Sequence, residues 1–384
     1  MIQANETLIQ DLIQKRRELH QYPEVAFEEK ETTRRLTNWL EEAGIPVLPL
    51  NLETGVVAEI TGAHPGPVIA LRSDIDALPV TEETNLSFES KVPGKMHACG
   101  HDFHMAAILG AALLLNEQKE NLHGSVRILF QPAEEVAEGA EWITERGALE
   151  GVSAIFGMHN KPDLPVGTIG IKSGSLMASV DRFEITFKGV GGHAGIPHET
   201  VDPIIIASQY VLAAQTILAR KIDLFHNAVL SITHIEGGST WNVIPDTVML
   251  EGTVRTFQPE ARQQIEYWMK KMAESTAEGQ GGKVDFSWMP KMPTVQNDTA
   301  YKEVLWQTAA ELGYKPIEAE PSSGGEDFAF YQEHVPGFFV WMGSNGAKQW
   351  HHPEFTVDEA AIKVASEYFA NLAVNVLDNA KNRK

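Results

Sequence analysis

Ser125-Val126-Arg127-Ile128-Leu129-Phe130-Gln131-Pro132-Ala133-Glu134-Glu135 is the stretch on which the architecture turns. A largely apolar run of strand length stops at Gln131-Pro132, and two carboxylates follow it. In an open parallel sheet, ligands gather beyond the carboxyl ends of the strands, so this segment supplies both a strand and a place for chemistry. Adjacent residues of an extended segment point in different directions. One glutamate can therefore bind a metal while its neighbour faces substrate as a base. The plainer account of the pair is an acidic first helical turn favoured by the helix dipole.

Outward from this stretch, short apolar runs alternate with helical patterns. Residues 5–43 read as two helices broken at His20-Gln21-Tyr22-Pro23, where proline ends helical geometry. Gly55–Ile60, Pro67–Arg72 and Ala154–Met158 read as strands, and His101–Leu115 as a helix. Strands separated by helices indicate βαβ units and an α/β fold with a mostly parallel central sheet.

The texture changes at Asp181-Arg182-Phe183-Glu184-Ile185-Thr186-Phe187-Lys188, which alternates polar and apolar like a strand with one face in water. A helical pattern over Asp202–Arg220, strands at Ala228–Ile235 and Thr247–Thr256, a helix from Pro259 to about Glu278 and a strand at Lys283–Trp288 follow. The order β-α-β-β-α-β is that of a ferredoxin-like α+β unit. Met289-Pro290-Lys291-Met292-Pro293 reads as an exit linker, and Thr356-Val357-Asp358-Glu359 as a capping box opening the last helix. The expectation is one domain made of residues 1–181 and 292–384, with a smaller domain, 182–291, inserted into it.

Composition bounds the function. The 384 residues carry 31 Lys and Arg against 52 Asp and Glu, a net charge of −21, which makes nucleic acid and anionic membranes poor partners. No run approaches the roughly 20 apolar residues that span a bilayer. A single cysteine cannot close a disulfide within the chain. The N-terminal MIQANETLIQDLIQKRREL is amphipathic rather than a secretory signal, so a cytoplasmic protein is expected.

His97-Ala98-Cys99-Gly100-His101-Asp102-Phe103-His104 packs three histidines and the only thiol into eight positions. Cys99 and His101 can converge on one ion where a loop enters a helix. A buried free cysteine beside helix-surface histidines explains the segment equally well. His159 ends the apolar run Ile155-Phe156-Gly157-Met158, and His351-His352-Pro353 follows the apolar run Gly337–Met342. A lone histidine is more often structural than a ligand. Here Cys99, His101, Glu135, His159 and His351 all fall at expected strand ends or adjoining loops, and that coincidence favours a metal site.

With these segments in view, the sequence resembles the M20 family of metallopeptidases and amidohydrolases, in particular its N-acyl-amino-acid amidohydrolase branch. The resemblance runs nearly end to end. It rests on Leu19-His20-Gln21-Tyr22-Pro23-Glu24, on Leu71-Arg72-Ser73-Asp74-Ile75-Asp76-Ala77-Leu78-Pro79, and on Met96–His104, Phe130–Glu135 and Gly157-Met158-His159. Gly191-Gly192-His193-Ala194, Asn242-Val243-Ile244-Pro245-Asp246, Gly252-Thr253-Val254-Arg255-Thr256, Gly324-Gly325-Glu326-Asp327-Phe328 and His351-His352-Pro353 complete it. The resemblance implies a zinc-peptidase-like catalytic domain with two divalent ions, of Mn²⁺, Zn²⁺, Ni²⁺ or Co²⁺. Cys99, His101, Glu135, His159 and His351 would be the ligands, with His351 preferred to His352. Many members of the wider family carry a His-x-Asp motif where this sequence has Arg72-Ser73-Asp74, so Arg72 takes the place of that histidine, and Cys99 marks the branch.

The same resemblance makes Glu134 the general base and the inserted domain a lid that forms a homodimer. His193 would reach the neighbouring active site and stabilise the oxyanion. Asn242 would contact the substrate near the scissile amide, and Arg255 with the Gly324-Gly325 loop would hold its carboxylate. The substrate would be a small N-acyl amino acid, N-acetyl first, including sulfur-containing amino acids or diaminopimelate, with benzoyl-glycine-like conjugates next. A dipeptidase or aminoacylase of the same fold is the rival, and a non-catalytic metal-binding module is the reading from another class.

Overall fold

The computed structural model describes residues 1–381, and the last three residues of the expected catalytic segment, 382–384, lie outside it. The chain divides into two compact units: Met1–Leu176 with Gln296–Glu320 and the residues from Asp327 onward, and Met177–Val295 with Pro321–Glu326. The second unit extends a few residues beyond 182–291 on either side. It also takes in residues 321–326, and with them Gly324 and Gly325.

The first unit is built on a seven-stranded sheet in the order Val56–Thr61, His123–Gln131, His64–Asp74, Val152–Lys161, Gly337–Gly343, Thr168–Ile171, Lys315–Glu318. Its four middle strands, from His123–Gln131 to Gly337–Gly343, run parallel to one another, while Val56–Thr61 joins one side antiparallel and Thr168–Ile171 pairs antiparallel with Gly337–Gly343 on the other. Apart from the first five residues of His64–Asp74, these middle strands are largely buried, as strands covered on both faces are. From His64–Asp74 the chain steps to His123–Gln131 on one side and then crosses to Val152–Lys161 on the other. The connections thus diverge beyond the end of His64–Asp74, which opens a crevice at the carboxyl ends of the strands.

Helix His101–Glu117 runs behind this sheet and is apolar on nearly every side, so it lies in the core. It packs against Glu6–Gln21 and the last helix, Ala360–Lys381. Its start needs a left-handed residue, and Gly100 supplies it with φ +86°. A Cβ there would stand 2.6 Å from Asn160 Nδ2.

In the second unit, strands Lys283–Met292, Ser179–Lys188, Thr247–Thr256 and Ala228–Gly237 form one antiparallel sheet in that order. Helices Pro203–Arg220 and Pro259–Gly279 cover it. The chain order β-α-β-β-α-β with this strand order is the ferredoxin-like arrangement. Phe183, Ile185 and Phe187 point inward at every second position, against Ile206, Tyr210 and Met269.

Two local expectations fail. Residues 289–292 continue the strand Lys283–Met292 instead of forming a linker, with a register shift between Pro290 and Met292. This is an edge strand, where a proline costs no ladder hydrogen bond and a bulge absorbs it. The last helix is capped by Asp358, whose Oδ1 accepts from Ala360 N at 3.0 Å. Thr356 Oγ1 instead accepts from Ala347 N at 3.1 Å, and Glu359 turns to Arg17 at 2.9 Å, so no capping box forms. Among the described residues, no helix is long and apolar enough to cross a membrane.

Candidate metal centre

The ends of the parallel strands and their following loops bring together four sets of donors, each within 4.8 Å of one another: Cys99, His101 and His159; Cys99, Glu135 and His351; His101, Glu134 and Glu135; Asp74, His101 and His104. The five ligands and the base expected from sequence therefore meet in the first unit. Two further members, Asp74 and His104, were not assigned as ligands from the sequence; nor was Asp76, which stands beside them with Oδ1 3.3 Å from His101 Nδ1.

Hydrogen bonds decide which nitrogens face the centre. His159 Nδ1 lies 2.8 Å from the carbonyl of Asn160, and His101 Nδ1 lies 2.8 Å from that of Asp76. A carbonyl only accepts, so both rings carry a proton on Nδ1, and Nε2 is the nitrogen each turns toward the centre. His159 Nε2 stands 3.3 Å from Cys99 Sγ. His101 Nε2 and Glu135 Oε1 are buried without a hydrogen-bond partner, 4.0 Å apart. Buried His, Cys and Glu donors converging in this way fit a divalent cation.

His104 is a different case. Its Nε2 accepts from Asn160 N at 2.9 Å and its Nδ1 donates to Asp74 Oδ1 at 2.7 Å, so both nitrogens are occupied by protein groups. It braces the centre. Asp74 also accepts from Arg72 Nη1 at 2.8 Å, while Arg72 Nη2 donates to Asp327 and Nε to Gln131. Arg72 thus lies in a buried ion-pair network, and the residue of its strand that nears the donors is Asp74, whose Oδ2 is 3.7 Å from His101 Nε2. The signal for Asp74 was its place two residues before Asp76 at the strand end, where alternate residues share a face.

The charges agree with this assignment. Burial works against a charged His101, yet Asp74, Asp76 and Glu135 overcome it and push the imidazole up to about 10. Burial raises the Cys99 thiol well above its usual value, and Glu135, Glu134 and Asp74 raise it further. Burial opposes the Asp74 carboxylate, but His101, His104 and Arg72 hold it well below the usual range. Such a concentration of carboxylates around one imidazole draws positive charge, and a divalent ion would supply it.

Glu134 and Glu135 lie in a short 3₁₀ turn, Glu134–Val136, between Ala133 at φ +56° and Ala137 at φ +60°. His351 is likewise left-handed, at φ +66°, and its Nε2 is 3.4 Å from Glu135 Oε1. His352 Nδ1 instead accepts from Glu354 N at 3.0 Å within its own loop. Trp350 braces His159 edge-on, with ring centroids 4.8 Å apart.

The remaining expected site residues lie in the second unit. His193 pairs with Val243 across two short strands, and Ala194 N donates to the carbonyl of Asn242 at 3.2 Å. Both side chains are exposed. Arg255 Nη1 is buried without a hydrogen-bond partner, because Asp181 is gripped by Arg262 at 2.7 and 2.9 Å. Gly325 has no room for a side chain: a Cβ would stand 2.4 Å from Val180. Gly324 N donates to Ser322 Oγ at 3.1 Å.

Residues 70–375 match the model of peptidase family M20/M25/M40. An N-acetylcysteine deacetylase of Bacillus subtilis (strain 168) is 58% identical over 371 residues, covering 96% of this chain and 98% of the relative. An N-acetyl-L-cysteine deacetylase of the same organism is 49% identical, covering 98% and 91%. Among solved structures, a Bacillus subtilis dinuclear metal binding peptidase from the M20 family superposes with TM-score 0.90 at 55% identity, covering 97% of this chain and 99% of that one.

Proposed function

Since the chain belongs to peptidase family M20/M25/M40, we propose that it hydrolyses the amide bond of N-acyl amino acids, N-acetyl ones first, giving the free amino acid and a carboxylate. The observation that carries this reading is the convergence of Cys99, His101, Glu135, His159 and His351 beside Glu134. Cys99, His101 and His159 would hold one divalent ion, and Cys99, Glu135 and His351 suit a second. Bound there, the ions would polarise the acyl carbonyl and lower the pKa of a water to about 7.

The chain's own groups do the rest. Glu134 takes a proton from the attacking water and returns it to the leaving nitrogen, so the amine departs neutral as the carbonyl carbon gains its new oxygen. His193 donates to the acyl oxygen as charge builds on it, an interaction worth roughly 3–4 kcal/mol of barrier. Arg255, with its unpaired Nη1, grips the substrate carboxylate, the Gly324-Gly325 loop lies against that group, and Asn242 contacts the amide.

A homodimer through the second unit, with His193 serving the neighbouring site, belongs to the same reading. It is supported by the edge strand Ala228–Gly237, which exposes Val229 and Ile235, and by Ile205 and Leu212 on helix Pro203–Arg220. The cytoplasm remains the compartment this reading assigns.

The test is release of amine from a panel of N-acyl amino acids by enzyme loaded with Mn²⁺ or Zn²⁺. N-acetylcysteine heads the panel because two relatives carry that activity in their names. Preference for dipeptides would favour the dipeptidase rival of the same fold, and no turnover with any substrate would leave a binding module. Glu134→Gln should keep its metal and lose about 10²–10⁴-fold in kcat. Near-normal turnover by that variant would remove Glu134 from the role.

A further inference from the structure

Glu29 takes no part in the reaction above, yet its carboxylate is fully buried. Its Oε1 accepts from Ala133 N at 2.9 Å, while Oε2 is buried with no hydrogen-bond partner. Burial, and then the charge of Asp76, push the carboxyl up to about 7. A buried carboxylate with one idle oxygen is costly, and an apolar or amide side chain would fill the same space at less cost.

What Glu29 touches accounts for its presence. The turn that carries Glu134 is flanked by two non-glycine residues in left-handed conformation, Ala133 and Ala137, each costing roughly 1–2 kcal/mol. Such a turn persists only if its surroundings hold it. Two backbone N–H groups bracket Glu134. That of Ala133 donates to Glu29, and that of Glu135 donates to Asp76 Oδ2 at 3.0 Å. Behind the turn there is no slack. A Cβ on Gly139 would fall 1.6 Å from the carbonyl oxygen of Pro132, and one on Gly55 would fall 2.7 Å from the Pro132 ring.

We propose that Glu29 is a positioning residue for Glu134: by accepting the Ala133 N–H it fixes the strained turn that aims the base. The proposal rests on the reading of Glu134 given above. Glu29 acts through the backbone and touches neither substrate nor metal ligand. Its amide analogue should therefore serve nearly as well, because Gln keeps an oxygen where Oε1 stands.

The experiment compares Glu29→Ala and Glu29→Gln with the parent in metal-loaded enzyme. It measures kcat, KM, bound metal and amide hydrogen exchange at Ala133 and Glu135. Glu29→Ala should lose about 10²-fold in kcat, the penalty of a misplacement near 1 Å, with KM and metal content unchanged. Exchange at Ala133 should quicken at least tenfold. Glu29→Gln should restore both kcat and protection to within a few-fold. Should Glu29→Ala fail to fold, Glu29→Asp replaces it, since a carboxylate one methylene shorter withdraws from Ala133. Parent-like kcat and exchange in the Ala or Asp variant would overturn the proposal. Equal losses in the Gln and Ala variants would also overturn it, since charge and not the hydrogen bond would then matter. If the parent cleaves no N-acyl amino acid, the catalytic reading fails, while exchange at Ala133 still decides whether Glu29 holds the turn.

Discussion

His20 offers a test in which rising pH removes an effect that a simple packing role would leave flat. Its ring is buried between two carboxylates, with Nδ1 2.9 Å from Asp102 Oδ2 and Nε2 3.1 Å from Glu82 Oε1. Both carboxylates accept, so both contacts are hydrogen bonds only when the ring carries two protons. Burial disfavours that charge, but Asp102 and then the bonds to Asp102 and Glu82 raise the pKa above its ordinary value. A raised histidine stabilises the fold fully below its unfolded value near 6.5, and loses that contribution as pH climbs through the folded value. Asp102 and Glu82 are held low, so their contribution fades only as pH falls below about 4. Between roughly pH 4.5 and 6.5 all three act together.

His20→Asn isolates one of the two contacts. The Asn amide takes the place of Nδ1 and can still donate to Asp102, but nothing reaches Glu82. One charge-assisted hydrogen bond is worth about 1.5–3 kcal/mol, so urea unfolding at pH 5.5 should show a loss of that size. Once His20 is neutral it has a single N–H and can serve only one carboxylate, as Asn does. The gap should therefore shrink toward zero near pH 9. An equal gap at both pH values, or one that widens with pH, would refute the assignment of a doubly protonated ring.

Three further outcomes follow from the geometry. Because Cys99 is held as a thiol, uptake of an ion through its sulfur must release a proton. Calorimetric titration in two buffers should give about one proton fewer for Cys99→Ala, and equal release would remove Cys99 from the ligand set. Gly100→Ala must adopt φ +86° and crowd Asn160, so it should lose roughly 2–4 kcal/mol in urea unfolding, and a change below about 0.5 kcal/mol would contradict the close approach. Arg255→Lys should raise KM about tenfold or more with kcat little altered, since a lysine cannot form the two-pronged bond; an unchanged KM would assign the carboxylate to another group.

The strands and helices were legible because their burial is periodic. The runs Ile128–Phe130 and Ala154–Met158 are continuously apolar, as buried parallel strands are, while Phe183, Ile185 and Phe187 alternate. The metal cluster was legible for a related reason: donors that end apolar runs share one edge of a parallel sheet. Local chemistry misled where a tertiary contact outbid it. Thr356 and Glu359 have the spacing of a capping box, but Ala347 and Arg17 claim them. Pro290 looks like a strand terminator until the strand is known to lie at an edge. Arg72 drew attention by standing where a histidine was expected, whereas the carboxylate near His101 is Asp74. Glu29 was out of reach altogether. Its partner is 104 positions away, and no spacing rule connects a helix-preceding glutamate to a backbone N–H in a distant turn.

The interrupted course of the first unit has a bearing on how the protein is made. Its middle strand Gly337–Gly343 and the His351 loop come after the whole of residues 177–295. A growing chain therefore exposes every strand and helix of the second unit's sheet while the first sheet still lacks one of its four parallel members. Domains fold as units and in order of synthesis where they can, so the second unit can settle early. The nascent first unit must wait with the strand Val152–Lys161 unpaired on one side. Translation past residue 343 is then the event that closes the sheet, and any donor set that includes His351 cannot assemble before it.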